Sequence, residues 1–220
     1  SSLIAGGVTH PMSFKRIILS WKADQLIPYA IAFYKKLEKK YNQQLFHPHK
    51  MVRILSGMEE QNNWQGRMAD PPLDKLLYDF SDDLSNYPLK APFGLGGVNL
   101  AGRLDIKTML LLVKQELKKH LITEQFDYQE LTINENNISY KDISASKIIF
   151  CEGFKYIENP YFNYLPNNLT KGEILIIKST NIPNILISKG SFLLPIGEDH
   201  FVLGATYQWN NFNSDTTAKA

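Results

Sequence analysis

The order of hydrophobic patterns along the chain constrains its fold more than any single motif does. A helical period runs from Ser20 to Tyr41, a mixed and glycine-broken stretch follows, and a second helical period begins at Asp105. After that helix, the apolar segments alternate or run continuously, which is typical of strands. This order favours two interleaved sheet-containing domains over one repeated βα unit. We therefore predict an α/β (α+β) fold.

Both helical segments show an apolar face and matching end signals. In the first, lysines cover the outer face and the last turn, where cations suit the helix dipole. Pro28 lies inside this pattern and should either kink the helix or mark the first turn of its second half. In the second, Asp105 is expected to cap a helix whose apolar face includes Ile106, Met109 and Val113.

The remaining segments predict strands and hairpins. HKMVRILSG is typical of a strand, MADPPLDKLLYDFSDDL of a loop with a short helix, and APFGLGGVNLAGR of extended chain interrupted by glycine. Hairpins are predicted to turn at 135–137 and 197–199, and KGEILIIKS adds a strand. The apolar run ASKIIFCEGF predicts a buried strand that ends at Gly153 and encloses Cys151 as a small hydrophobe.

Composition limits the classes of function. The 24 Lys and Arg residues against 22 Asp and Glu give a net charge of +2, and the basic residues are spread along the chain, so no nucleic-acid partner is indicated. The single cysteine excludes an internal disulfide framework and fits a reducing compartment, so the cytoplasm is the expected location. Apolar runs of about four to six residues fall far short of the roughly 20 that span a membrane, so no membrane partner is expected.

The motifs that would identify a cofactor, a metal site or a catalytic nucleophile are incomplete. GLGGVNLAG lacks the third glycine of a dinucleotide-binding loop, because that position is Asn99. His47 and His49 should share one face of a strand, but no further ligand follows at metal-binding spacing, and no metal is predicted. No sequence sign of a base accompanies Cys151, so nucleophilic catalysis is not expected.

The opening segment, SSLIAGGVTHPMSFKR, resembles a stretch of the D-amino acid oxidase/glycine oxidase superfamily in which a small-residue loop runs under a flavin. The resemblance continues in SWKADQLIPYAIAFYKKLE and AGRLDIKTMLLLVKQEL, and it is most specific in FCEGFKYIENPYFNYLPNNLTKGEILII and GSFLLPIGEDHFVLGATYQWN. It covers nearly the whole chain but only the middle of the family's length. We therefore expect an internal fragment that lacks the N-terminal G-x-G-x-x-G unit and the C-terminal FAD segment.

The resemblance implies FAD as the cofactor of the intact protein. It implies that a C–N bond of a small amine or amino acid is oxidised by hydride transfer to the flavin. Glycine in the loop would remove side chains where peptide N–H groups meet the polar edge of the ring, and the serines would hydrogen-bond phosphate or ribose oxygens. The cofactor-binding candidates are Ser1, Ser2, Ala5, Gly6, Gly7 and Gly153.

The same resemblance implies a substrate side to the flavin. An amino-acid carboxylate would be held by a guanidinium, for which Arg16 and Arg53 are the candidates. Tyr161, Tyr164 and Phe192 are the aromatic candidates for the substrate wall. No catalytic residue is assigned, since hydride transfer to a flavin needs positioning more than a protonic side chain.

The resemblance also predicts how the domains alternate. A remnant of the FAD domain with the long helix would occupy 1–42, and 104–158 would add a helix, a β-meander and a strand to it. A substrate domain would be built from 43–103 and 159–220. The expected fold is thus a partial Rossmann-like FAD domain interleaved with an antiparallel-rich mixed-sheet substrate domain.

Two other functions stay open. A flavin-dependent tRNA-modifying oxidase domain would share this fold, but it predicts a basic face that the even charge distribution does not indicate. A non-enzymatic binding domain is the other alternative, in which the glycine loop is simply a turn. For either flavoenzyme, the chain alone is expected to be inactive, because the elements that hold the diphosphate and the ribose would lie outside it.

Overall fold

The structure is a computed structural model that describes residues 2–209, 213 and 215–218. Its α-helices are α1 (Ala23–Tyr41), α2 (Met58–Arg67) and α3 (Ile106–Glu116). Short 3-10 helices lie at Ser2–Ile4, Leu73–Lys75, Lys118–His120, Tyr128–Glu130 and Gly153–Glu158. None of the helices in the described ranges is long and apolar enough to cross a membrane.

The two predicted helices are confirmed, with one shifted boundary. α1 begins at Ala23 rather than Ser20, because Lys22 adopts the left-handed conformation with φ of 48° and ends the preceding turn. Pro28 lies within the continuous α1. Asp105 caps α3 as predicted, and its Oδ1 accepts a hydrogen bond from the backbone N–H of Thr108 at 3.1 Å.

The strands are short and numerous. They are β1 (Val8–Thr9), β2 (Met12–Ser13), β3 (Ile18–Leu19), β4 (Phe46–Pro48), β5 (Met51–Ile54), β6 (Leu77–Asp79), β7 (Leu95–Val98), β8 (Gly102–Leu104), β9 (Leu131–Ile133), β10 (Ile138–Tyr140), β11 (Ile143–Ala145), β12 (Thr170–Lys171), β13 (Ile174–Lys178), β14 (Leu186–Lys189), β15 (Ser191–Gly197), β16 (His200–Gly204) and β17 (Gln208–Trp209). The hairpins predicted at 135–137 and 197–199 are confirmed as β9–β10 and β15–β16.

A seven-stranded mixed sheet forms the centre of the chain. Its order is β13-β16-β15-β14-β5-β7-β6, in which β5 and β14 are parallel and the other neighbours are antiparallel. One face buries Met51, Leu186 and Leu194 together with Trp64 of α2. The other face buries Val52, Ile54, Ile185 and Ile187. Strand residues therefore alternate between two apolar clusters, which fixes the register of the sheet.

A second, three-stranded sheet has the order β1-β8-β4. It lies beside α1, whose Tyr34 stacks on Phe46 of β4 with ring centroids 6.1 Å apart. Phe46 and Leu104 are directly opposite each other in the β4–β8 pair and are both buried. The mixture of sheets and helices agrees with the predicted α/β (α+β) class.

The chain divides into two compact units. Unit 1 comprises Ser1–Lys118, Gly172–Tyr207 and Ser214–Ala220, and it contains the two sheets above. Unit 2 comprises Lys119–Lys171 and Gln208–Asn213. It contains the β9–β10–β11 meander, the β12–β17 pair and a cluster of aromatic rings that includes Phe126, Tyr140 and Phe150. The finer division into FAD and substrate domains stays a prediction about the intact protein.

One predicted strand is wrong. The run ASKIIFCEGF does not form a strand beyond Ala145, and Gly153 begins a 3-10 helix instead of ending a strand. Cys151 is exposed rather than buried. Backbone groups in a strand need a hydrogen-bonded neighbour, and within the described residues no strand pairs with 146–152.

Candidate functional site

Two of the predicted substrate residues lie in one row across the seven-stranded sheet. Arg53 of β5 is the register partner of Ser188 of β14, and Ser188 is the partner of Phe192 of β15. Register partners share a face of a sheet, and neighbouring strands are about 4.8 Å apart, so Arg53 and Phe192 lie about 10 Å apart across Ser188. The sheet thus presents a cation, a hydroxyl and an aromatic ring side by side.

The small-residue loop of the opening segment contacts this row. A Cβ added at Gly6 would lie 3.3 Å from Cζ of Phe192, so the loop backbone passes directly against the edge of that ring. Gly7 has φ of +73°, and a Cβ there would lie 2.1 Å from the backbone oxygen of Leu104. The oxygen of Gly7 accepts a hydrogen bond from the N–H of Leu104 at 2.9 Å. Packing and backbone conformation therefore require glycine at position 7, whereas a Cβ at position 6 would make a tight contact with the ring of Phe192.

Arg53 is held by a partly buried ion pair. Its Nε donates to Oε1 of Glu60 at 2.8 Å, and the two side chains are only 13% and 17% exposed. The N–H of Ser56 donates to the other oxygen of Glu60 at 2.8 Å. Burial alone would raise the pKa of Glu60, but these hydrogen bonds and the charge of Arg53 bring it below its usual value. The pair is therefore charged at neutral pH.

A group of stacked aromatic rings packs against the guanidinium of Arg53. The guanidinium carbon lies 5.3 Å from the centroid of Phe14, which stacks on His10 at 5.1 Å and on Trp64 at 6.5 Å. Burial lowers the pKa of His10 and keeps the imidazole neutral at neutral pH. Within the described part of the chain, Nδ1 of His10 and Nε1 of Trp64 are buried without a hydrogen-bond partner.

Sequence reasoning missed His10, Phe14, Glu60, Trp64 and Ser188. His10 and Phe14 follow the small-residue loop within the same opening segment, and this proximity was the one available signal for them. Glu60 and Trp64 lie four residues apart on α2, which faces them to the same side of the helix. Ser188 is placed by strand register alone.

In unit 2, Gly153 lines a cleft of about 480 Å³. Neighbours of Gly153 in its wall are Cys151, Glu152, Tyr156 and Phe162. Gly153 has φ of +59°, and no atom lies within 4 Å of the position that a Cβ would occupy. The main chain at Gly153 is therefore accessible from the cleft, a property that Gly190 and Gly197 share at their own turns.

The carboxylate of Glu152 is fixed at the rim of this cleft. It accepts hydrogen bonds from the hydroxyl of Tyr128 and, at 2.7 Å, from Nδ2 of the fully buried Asn159. Burial and the hydrogen bond to Glu152 raise the pKa of Tyr128 to about 12, so this hydroxyl remains a donor. Oδ1 of Asn159 accepts from the N–H of Tyr161 at 2.8 Å, which ties Tyr161 to the same network.

The other candidates are more exposed. Ser2 and Ala5 lie in an exposed turn in which the N–H of Ala5 donates to the oxygen of Ser2 at 3.3 Å. Arg16 is exposed on the surface of unit 1, and Tyr164 is 73% exposed. Tyr161 stacks on Phe150 with centroids 6.1 Å apart. Ser1 lies outside the described residues.

Among the predicted flavin contacts, the geometry of Gly153 leaves room for the cofactor. At Gly153, the backbone faces open space, as a ring or phosphate lying against it requires. At Gly7 the side-chain position is filled by the backbone of Leu104, and at Gly6 it borders the ring of Phe192, so flavin contact at this loop would use the peptide edges. No group of three possible metal ligands occurs in the part of the chain that the structure describes.

No protein-family model matches the chain. Solved structures of oxidases do match it. Iminodiacetate oxidase from Chelativorans sp. BNC1 superposes with a TM-score of 0.74 at 16% identity, covering 100% of this chain and 66% of that protein. Glycine oxidase from Bacillus cereus ATCC 14579 gives 0.73 at 14% identity, covering 99% and 64%. L-amino acid deaminase from Proteus vulgaris gives 0.63 at 13% identity, covering 93% and 52%.

These matches, at 13–16% identity, show the fold of the chain. The chain has the fold of a segment of amine and amino-acid oxidases, and the resemblance to the D-amino acid oxidase/glycine oxidase superfamily is confirmed at this level. The chain spans less than two thirds of the length of the proteins it matches, which contain further sequence that this chain does not supply.

Proposed function

We propose that the intact protein is an FAD-dependent oxidoreductase that oxidises a C–N bond of a small amine or amino acid. The contact between Gly6 and Phe192 carries this proposal. The resemblance implies that the loop runs under the flavin and that Phe192 lines the substrate pocket. The contact brings these two features together. That ring shares its row with Arg53. The fold of the matched oxidases supports the same reading. The single exposed cysteine is compatible with the cytoplasmic location we expect.

Each residue of the row has a specific task in this proposal. FAD, when bound, supplies the hydride acceptor. Phe192 provides an apolar wall that excludes water from the reacting carbon. Arg53 uses Nε for Glu60, and its contact from Nη1 to Oγ of Ser188 is long at 3.4 Å, so the outer edge of the guanidinium retains donors for a substrate carboxylate. Glu60 orients Arg53 and is a positioning residue.

The test uses the intact protein, purified with the segments that flank this chain. It should retain FAD through gel filtration, and anaerobic mixing with a panel of amines and amino acids should bleach the flavin with at least one member. Arg53→Met should raise KM for an amino acid about tenfold or more while leaving a carboxylate-free amine little affected. Arg67→Met, at an exposed ion pair, is the matched control.

Two results would overturn the proposal. An intact protein that binds no FAD would favour a non-enzymatic binding domain. A flavoprotein that is reduced by no small amine or amino acid, but that acts on RNA, would favour the tRNA-modifying alternative.

The chain by itself should behave differently. Without the diphosphate and ribose contacts, several charge-assisted hydrogen bonds of about 1.5–3 kcal/mol each are lost, which costs roughly three or more powers of ten in affinity. We expect the 220-residue chain to be colourless and without oxidase activity. Absorbance near the flavin bands after gel filtration, with the chain confirmed by mass, would contradict this.

A further inference from the structure

The two faces of the three-stranded sheet carry different types of residue. Phe46 and Leu104 lie on the packed face, which is stacked by Tyr34 of α1. On the opposite face, Arg103 of β8 lies directly between Val8 of β1 and His47 of β4. Directly opposite residues have Cβ atoms about 4.5–5.5 Å apart. A cation and an imidazole are thus adjacent by register.

His49 joins the same group. Its N–H donates to the oxygen of Ala101 at 3.1 Å, which extends the β4–β8 pairing and places His49 two residues beyond His47 on the same face. The diagonal separation from Arg103 is about 7–8 Å between main-chain positions, within reach of long side chains. We call Arg103, His47 and His49 the basic cluster.

The basic cluster contains buried polar atoms that the described residues leave without a partner. Nε of Arg103 and Nε2 of His49 are both buried and make no hydrogen bond within the described ranges. Arg103 also forms no ion pair with a described acidic residue. Buried polar nitrogens are costly when unpaired. Nε of Arg103 is always a donor and needs an acceptor, whereas Nε2 of His49 needs an acceptor when it carries the proton.

The nearby carboxylates do not serve as that acceptor. Asp105 accepts from the N–H and the hydroxyl of Thr108 at 3.1 and 2.9 Å. Glu38 accepts from the N–H groups of Leu45 and Phe46, both at 2.8 Å. Both carboxylates act on the cluster only through their charge, and neither lies within ion-pair distance of Arg103.

Burial and the charge of Arg103 act on both imidazoles in the same direction. Burial lowers the pKa of His47 and of His49, and the charge of Arg103 lowers both further. Asp105 and Glu38 oppose this effect at His47, whereas at His49 the influence of His47 adds to it. Protonation of the imidazoles is thus resisted until an anion arrives, and an anion would reverse that resistance.

We propose that Arg103, His47 and His49 form a binding site for a phosphate group, on the face of the three-stranded sheet opposite Phe46 and Leu104. The guanidinium donates to one or two oxygens and each imidazole to another, so three side chains match the three terminal oxygens of a phosphate group. A carboxylate has only two oxygens, and one guanidinium contacts both of them in a bidentate pair. A metal ion is disfavoured because the fixed charge of Arg103 repels it.

The probe is inorganic phosphate, titrated into the purified 220-residue chain at neutral pH and constant ionic strength, and followed by calorimetry. We expect saturable binding that weakens at least tenfold in Arg103→Gln and several-fold in His49→Gln. The control Arg67→Gln, which removes an exposed arginine, should bind as the unsubstituted chain does. Circular dichroism establishes that each variant is folded, and His49→Gln carries the test if Arg103→Gln is not.

Acetate at the same ionic strength should compete poorly. Absence of saturable phosphate binding, or equal binding by Arg103→Gln, would overturn the site. Acetate competing as well as phosphate does would overturn the assignment of the ligand class.

Discussion

Gly7 is the residue at which the structure sets the narrowest requirement. Its φ of +73° and the 2.1 Å approach of a Cβ to the oxygen of Leu104 leave no room for a side chain. Gly7→Ala should lower the free energy of unfolding by about 3 kcal/mol or more, measured by urea titration, since both backbone strain and displacement of β8 contribute.

Two other glycines serve as matched controls for Gly7. Gly66 lies in α2 with nothing within 4 Å of its Cβ position, so Gly66→Ala should stabilise the chain by up to about 1 kcal/mol. Gly153 has φ of +59° but open space, so Gly153→Ala should cost only about 1 kcal/mol. Equal losses at Gly7 and Gly153 would show that contact with Leu104 is unimportant.

The Arg53–Glu60 pair should matter more than the ion pairs on the surface. Glu60→Gln leaves the largely buried guanidinium without its counter-charge, and we expect a loss of about 2 kcal/mol in unfolding free energy. Asp70→Asn breaks the pair with Arg67, whose side chains are 45% and 56% exposed, and should cost less than about 1 kcal/mol. A double-mutant cycle with Arg53→Met measures the coupling directly.

The buried imidazole of His10 predicts a pH dependence. Its pKa is lowered in the folded chain, so the unfolded chain binds a proton more readily. Stability is therefore fully present above about pH 6.5, the unfolded value, and is lost as the pH falls through the lowered folded pKa. His47 and His49 act in the same direction. His10→Asn should reduce the slope of unfolding free energy between pH 7 and 5, and an unchanged slope would contradict this.

At the scale of elements, the N-cap of α3 gives a defined prediction. Asp105→Ala removes both hydrogen bonds to Thr108 and should cost about 1 kcal/mol of unfolding free energy. Asp24, in the first turn of α1, is a control without a cap role, because the N-cap of that helix is Lys22. Asp24→Ala should cost about 0.5 kcal/mol through the helix dipole alone.

The elements also show what a sequence can and cannot predict. α1, α3 and the hairpins at 135–137 and 197–199 follow from local periodicity, capping and turn residues. The strand predicted over 145–153 was wrong because pairing depends on a neighbour that local pattern does not reveal. The row of Arg53, Ser188 and Phe192 depends on register between segments about 135 residues apart. The approach of Gly6 to Phe192 joins segments that lie even farther apart along the chain. The sequence could predict Arg53, Phe192 and Gly6 as candidates, but it could not predict that they lie close together in the fold.

At the scale of the whole molecule, the two units should differ in local stability. Among the described residues of unit 2, only Leu131 and Asn159 are buried, whereas unit 1 contains both apolar clusters of the central sheet. Few buried apolar contacts mean a low free energy of opening. Hydrogen exchange should be faster by an order of magnitude or more at 131–140 than at 186–197, and equal protection of the two ranges would contradict this.

The parallel pairing of β5 with β14 has a consequence for how the chain is made. β5, β6 and β7 precede α3, while β13 to β16 follow it, and the two sets join through this one pair. During translation, β5 therefore waits with one edge unpaired until more than 130 further residues have left the ribosome. An open edge beside apolar Val52 and Ile54 is a template for association with other nascent chains. Synthesis rate and chaperone supply should consequently govern the soluble yield of this protein more than its final stability does.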